Sequence, residues 1–196
     1  MKKTRILTLC ECAILLALST VLSMIPLPWK MPFGGSVTIM SMLPICMVCF
    51  RHGIKWGFFT SFVYSVIQLM LSIGEIMAWG LTPVVLIACI FLDYIFAYTS
   101  LGLCGFFNRG KNVKTQHIFL CVGVAVAITT RFLCHYISGI TLWTESAAGS
   151  GHSAYVFSLL YNGTYMLPEL ILTLIGANIL LAAPQMRRFF VKKIGY

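Results

Sequence analysis

Acidic side chains are almost absent from this chain. Asp and Glu number five among 196 residues, and all charged residues together make up 10%. A soluble domain carries about a quarter charged residues, so a water-facing globular surface is excluded. Familiar catalytic constellations are missing too: there is no HExxH, no GxSxG and no paired-acid motif. The eight cysteines (10, 12, 46, 49, 89, 104, 121 and 134) lie mostly in apolar segments. Cys46-x-x-Cys49 has neither a second pair nor a histidine at ligand spacing, so no disulfide framework, metal or cofactor is implied. The cysteines read as small buried hydrophobes. The stretch 105–112, GFFNRGKN, imitates a phosphate-binding loop, but Asn112 stands where Ser or Thr is required and no strand precedes it.

What the chain does have is apolar length. Hydrophobic residues make up 59% of it, and long runs predict an all-α integral membrane protein: one domain over 1–196, a single compact bundle of six transmembrane helices. The helices are expected at about 6–26, 36–50, 55–73, 81–107, 115–141 and 155–183. The basic N-terminus resembles a signal peptide, but the long run without a small-x-small site predicts a retained first helix. Pro26 and Pro28 stop that helix. Its Ala13-xxx-Ala17 spacing permits close approach of another helix, and Glu11 is expected to pair with Arg5 or a headgroup-level cation. Helix 2 is short and contains Pro44. The loop 27–35 holds Trp29, Phe33 and the joint Gly34-Gly35. It reads either as an ordinary connection or as a lid with an aromatic lip.

A net charge of +9 suggests nucleic acid until the positions are examined. Lys2, Lys3 and Arg5, then Arg51 and Lys55, then Arg109, Lys111 and Lys114, and finally Arg187, Arg188, Lys192 and Lys193 all fall on one side of the six-helix arrangement. Only Lys30 falls on the other, and Arg131 lies within the membrane. This predicts cytoplasmic N- and C-termini, outer loops at 27–35, 74–80 and 142–153, and a bilayer rather than nucleic acid as the partner of the basic charge.

Against lipid, intramembrane polar residues are costly and mark interior sites. Arg131, His135, Ser138 and Gly139 share one arc of helix 5, since positions i, i+4 and i+7 fall on one face. The alternative for Arg131 is a packing role, paired with an acid on another helix. Asp93 sits near the middle of helix 4, followed by Tyr94. Tyr64 and Gln68 form a polar face on helix 3, and Asn162, Glu169 and Thr173 form a stripe on helix 6. Asn162-Gly-Thr is also a formal glycosylation sequon, read as an accident of its place in a membrane helix. At about 1.5 Å per residue, these groups reach similar depths and predict one outward-facing pocket, covered by Trp143 and the 27–35 loop. A carboxylate among aromatics suits a cationic planar ligand, with Arg131, His135 and Asn162 as further donors.

Several segments, taken together and in order, resemble a known family. They are RFLCHYISG (131–139) with Trp143, FSLLYNGTYMLPE (157–169), LDYIFAYTSLGLCG (92–105), GGSVTIMSMLPI (34–45) and FRHGIKWG (50–57), with Ala13 and Ala17 on helix 1. The resemblance is to the thiamine-specific substrate-binding (S) component of energy-coupling factor transporters, the ThiT family. It implies a vitamin receptor in a prokaryotic plasma membrane that captures thiamine from outside with high affinity. Such a receptor hydrolyses no ATP itself. It works with a transmembrane coupling subunit, docked on the Ala13/Ala17 face, and two cytoplasmic ATPase subunits, and topples in the membrane to release its ligand inward. The resemblance places the pyrimidine-binding acid on Asp93 with Tyr94 beside it, the helix 5 base and histidine on Arg131 and His135, the aromatic lid residue on Trp143, the helix 6 asparagine on Asn162 and an aromatic on Tyr64. Asp93 is one methylene shorter than the glutamate of some members. Phe157 replaces a tyrosine, for which Tyr155 or Tyr161 can compensate. The first-loop tryptophan aligns with Trp29 or is replaced by Phe33. Other readings are an S component for another vitamin, a small intramembrane enzyme using Asp93, His135 and Glu169, and a stand-alone secondary transporter.

Overall fold

The computed structural model describes residues 2–28, 31, 33, 35–109 and 113–190, with the side chains of 2–4, 113 and 188–190 left aside. Trp29 and Gly34 lie outside the described residues. Among the described residues eight helices follow in order: α1 (Lys2–Ser23), α2 (Leu43–His52), α3 (Ile54–Ala78), α4 (Pro83–Phe107), α5 (Val113–Thr141), α6 (Thr144–Gly149), α7 (Ala154–Ala182) and α8 (Pro184–Phe190). Among the described residues, five of these helices (α1, α3, α4, α5 and α7) are long and apolar enough to cross a membrane.

The exposed helix faces are strongly apolar, and the interior combines an apolar core with a set of polar groups. Ile14, Met70 and Val84 are each more than two-thirds exposed, whereas Ser61, Ser65, Arg131, Ser138, Asn162, Glu169 and Thr173 are buried. That inversion suits a lipid solvent. All eight cysteines are free. Five are buried, but Cys10 is exposed and Cys121 and Cys134 partly so, because these three occupy helix faces left uncovered by neighbours. Their expected uniform burial does not hold.

The helix expected over 36–50 starts only at Leu43. Pro44 fits the first turn of a helix, where its missing N–H costs nothing, and before it Met40 takes a positive φ of 55°. Residues 35–42 run instead as irregular chain. Thr38 forms an isolated bridge with Pro26, and Leu27 N donates to Val37 O at 2.7 Å. Val37 and Met42 are fully buried, which is how non-helical backbone becomes tolerable in such a protein. The stretch runs antiparallel to α1: Ser19 Oγ donates to Ser41 O near one end, and Arg51 reaches Glu11 toward the other. Partly extended chain advances farther per residue than helix, so a ten-residue α2 completes the passage.

Glu11 does not pair with its sequence neighbour Arg5; its partners are the cations of the basic turn, Arg51 and His52. Arg51 donates to both of its oxygens, at 2.7 and 2.8 Å, and His52 Nε2 lies 2.9 Å away. The antiparallel register of α2 brings these groups beside α1, and the two-pronged geometry is strong.

Other boundaries differ too. α1 runs over Lys2–Ser23 rather than 6–26 and ends three residues before Pro26. α3 runs on through Gly74 to Ala78, past the expected stop at 73, because the chain turns only at Gly80, whose φ is +65°. The loop 142–153 contains the short helix α6, and the tail begins with α8. The long α4 is not uniform. Ile90–Phe96 is wound as a π-helix and Ser100–Phe107 as a 3₁₀-helix. At the tighter end, Gly105 lies against the α2–α3 turn, where an added Cβ would come within 2.8 Å of Ile54 Cα.

Gly105→Ala should therefore lower stability by about 1–3 kcal/mol through overpacking. Gly74→Ala, where an added Cβ meets nothing within 4 Å, should raise it by up to about 1 kcal/mol. Thermal unfolding of both variants in detergent checks the opposite signs.

Candidate functional site

The polar residues of α4, α5 and α7 meet in two adjoining groups. The first centres on Asp93. Its Oδ1 lies 2.9 Å from His135 Nδ1, and its Oδ2 accepts from Ser138 Oγ at 2.5 Å. An imidazole facing a carboxylate through Nδ1 carries its proton there, which leaves Nε2 as an acceptor when the ring is neutral. That Nε2 is buried and has no hydrogen-bond partner among the described residues.

The second group centres on Arg131. Its Nη1 lies 3.3 Å from Glu169 Oε2 and 2.9 Å from Met42 Sδ, and its guanidinium carbon sits 4.3 Å over the Tyr98 ring. Glu169 Oε1 accepts from the Thr38 amide at 3.2 Å and from the Thr38 hydroxyl. Arg131 is thus paired with an acid on another helix, the packing alternative raised by the sequence. Arg131 Nε and Tyr64 Oη are buried without a hydrogen-bond partner among the described residues. Tyr64 packs edge-on against Tyr98 at 5.5 Å. His135, one turn from Arg131 on α5, joins the two groups.

Asn162 binds inward. Its Nδ2 donates to His135 O at 3.3 Å and Ser158 O at 3.0 Å, while its Oδ1 accepts from Tyr165 Oη at 2.8 Å. Gly139 makes room on α5 for α7, since a Cβ there would run into Ser158. Gln68 lies apart: its Nε2 donates to Ser23 Oγ at 2.8 Å, tying α3 to the end of α1. Tyr94 stacks obliquely toward Tyr98 at 6.3 Å. Trp143 packs perpendicular to Trp79 at 5.1 Å. Phe33 lies edge-on to Phe157 and His152, at 6.3 and 6.2 Å. Gly35 lies so close to the Tyr165 ring that a Cβ would come within 2.6 Å, and its φ is +79°. Described parts of the first loop therefore rest on α7. Tyr155 is exposed, whereas Tyr161 lies 5.8 Å from Phe157.

Sequence reasoning missed Tyr98, Tyr165 and Thr38. Tyr98 follows Asp93 by five residues, a spacing that a regular helix sends to different faces. The π-helical winding brings both toward α5, and such segments recur at functional sites. Tyr165 was legible as the middle member of Asn162, Tyr165 and Glu169, spaced three and four apart. Thr38 carried no signal, because its stretch was expected to be helical. A separate groove of about 490 Å³ between α5 and α7, lined by Ile128, Phe132, Leu159 and Gly163 among others, is almost wholly apolar and contains none of these polar residues.

The sequence model of a family described as thiamine transporter protein (Thia_YuaJ) matches residues 9–188. The chain belongs to this family. The thiamine transporter ThiT of Bacillus subtilis is 34% identical over 191 residues, spanning 93% of this chain and 94% of that protein. ThiT of Lacticaseibacillus paracasei is 29% identical over 163 residues, spanning 79% and 76%. A solved structure of ThiT from Listeria monocytogenes superposes with a TM-score of 0.75 at 25% identity, covering 93% of this chain and 98% of that one. The resemblance read from the motifs is thereby established, and the family is one of transporters, so the intramembrane-enzyme alternative falls.

Breaking a buried ion pair from one side leaves an uncompensated charge. Arg131→Met should lower stability by about 3–5 kcal/mol, whereas the double variant Arg131→Met/Glu169→Gln should regain most of the loss. Thermal unfolding of the two variants in detergent checks this, and equal melting temperatures would show that the pair is not charge-coupled.

Proposed function

We propose that this chain is the membrane-embedded thiamine receptor of a vitamin importer. The observation that carries the reading is the Asp93–His135–Ser138 centre, a carboxylate held inside a lipid-facing bundle, with a buried imidazole nitrogen beside it. Family membership supports the ligand. A cationic ring system with an amino substituent complements that centre, since the carboxylate attracts the charge and His135 Nε2 accepts from an N–H. Tyr94, Tyr64, Trp143 and Asn162 supply aromatic faces and a further polar contact, and Phe33 and Gly35 belong to the cover.

In this reading residues 1–196 form one membrane domain with six crossings, the second made by residues 35–52. Both termini are cytoplasmic and the pocket opens outward. Supporting the orientation, Glu11, Arg51 and His52 cluster at one end, and Asn108 Nδ2 donates to Arg51 O at 3.5 Å, so that two basic turns lie side by side. Affinity for thiamine is high, and transport is driven by separate coupling and ATPase subunits. Ala13 and Ala17 are exposed on α1, where small side chains leave a shallow face for a coupling subunit's helix.

Titration of the purified protein with thiamine, followed by tryptophan fluorescence, should give saturable quenching at sub-micromolar ligand, and riboflavin and biotin should give none. Asp93→Asn and His135→Ala should each weaken binding by at least about tenfold without loss of fold. Calorimetry showing no heat with thiamine would remove this ligand and send the same assay to other vitamins.

A further inference from the structure

The sequence placed Glu169 among the ligand contacts, but its carboxylate is engaged elsewhere. Glu169 is buried, with Oε2 turned to Arg131 Nη1 and Oε1 accepting both the amide and the hydroxyl of Thr38. Thr38 lies 131 residues away in sequence, so this is the long-range tie of the irregular stretch 35–42 to α7. One ion pair thus touches the stretch at two points, Thr38 in its middle and Met42 at its end, where Met42 Sδ lies 2.9 Å from Arg131 Nη1. Thr38 Oγ1 is also 2.6 Å from Ser41 Oγ, and Ser19 on α1 donates to Ser41 O. Ahead of Thr38, Gly35 rests on the ring of Tyr165, whose hydroxyl donates to Asn162. Asn162 in turn touches the carbonyl of His135. Whatever fixes Thr38 therefore fixes where residue 35 meets the stripe of α7 that borders the Asp93–His135 centre.

We propose that Glu169 is a positioning residue. It does not touch the ligand; it holds Thr38, and through it residues 35–42, against the side of the binding centre, and so sets how slowly bound ligand escapes. A carboxylate suits this role because it accepts two donors from one residue while its second oxygen balances Arg131. Bonds to a charged acceptor are the stronger kind. An apolar side chain at 169 would leave the Thr38 amide and Arg131 unsatisfied together. The ligand part of this inference rests on the thiamine-receptor reading, whereas the tie itself does not.

The test uses the full-length protein in detergent or nanodiscs. Thr38→Val removes the hydroxyl and keeps the shape, and Thr38→Ser restores the hydroxyl. Hydrogen exchange read by mass spectrometry on peptides covering residues 35–42, without ligand, should speed up about tenfold in Thr38→Val. It should stay near the parent rate in Thr38→Ser, with the amides of α5 and α7 unchanged in both. Thiamine dissociation from Thr38→Val should accelerate by a similar factor, with the association rate changing less. Should Thr38→Val fail to fold, Ser41→Ala, which removes the hydroxyl 2.6 Å from Thr38 Oγ1, should give a smaller change in the same direction. Unaltered exchange in Thr38→Val, equal loss in Thr38→Ser, or faster exchange with an unaltered dissociation rate would each overturn the proposal. If the parent protein binds no thiamine, the receptor reading fails, and the exchange comparison still decides the tie.

Discussion

A charge facing lipid is expensive, and the arrangement of this protein follows from keeping its few charges inside. Estimates for an uncompensated Arg or Asp at the centre of a membrane helix begin near 3 kcal/mol. Arg131 avoids that cost by meeting Glu169 across the α5–α7 contact and by lying over Tyr98. Asp93 meets His135 and Ser138 from the same helix, α5. The close contact of α5 with α7 is thus used twice, once for the ion pair and once for Asn162, whose amide reaches across to His135 O as well as to Ser158 on its own helix. Gly139 makes the approach possible, since any larger residue would collide with Ser158.

The same constraint explains where the backbone may depart from the regular helix. Exposed peptide groups in hydrocarbon are as costly as exposed side chains, so irregular chain has to be covered. Residues 35–42 satisfy this by lying inside, with Val37 and Met42 buried and Thr38 bonded to Glu169. In α4 the departures are winding changes within a continuous helix, with no break in it. The π-helical stretch delivers Asp93 to α5, and the 3₁₀ stretch packs Gly105 against the α2–α3 turn.

This division also accounts for what was legible in the sequence. Five long apolar helices were readable from hydropathy, because each must cover the hydrocarbon with its own side chains. The intramembrane residues Asp93, Arg131, His135, Asn162 and Glu169 stood out for the same reason, since any polar residue in such a run is conspicuous. Their pairings were not readable. Arg131 has two acids at compatible depth, Asp93 and Glu169, and only the α5–α7 register selects Glu169. The start of α2 was hidden because Ser36–Met42 is as apolar as a helix. What excludes a helix there is the bond from Thr38 to a carboxylate 131 residues away, a contact no local pattern encodes. Tyr98 was hidden by the assumption of uniform helical period in α4. For Glu11 the sequence offered Arg5 or a headgroup-level cation without naming the latter, and its partners Arg51 and His52 come from the antiparallel stretch beside it.

The two buried groups differ in how their acidic charge is balanced, and that difference bears on their roles. Around Arg131 and Glu169 the charges cancel, and each carboxylate oxygen has a donor, so the group is a joint between α5, α7 and the irregular stretch. Around Asp93 the balance is open. When its ring is neutral, His135 gives Asp93 a hydrogen bond without a compensating charge, and Nε2 is an acceptor with no partner among the described residues. An open carboxylate beside a free acceptor favours a ligand that brings positive charge and N–H donors together, and disfavours an anion. A shorter acid at 93 keeps the carboxylate close to α4, which is compatible with its two short bonds to α5 only because the π-helical winding aims residue 93 at that helix. The widened turn and the aspartate therefore act together: Asp93 lies within the π-helical stretch and reaches both His135 and Ser138 from it.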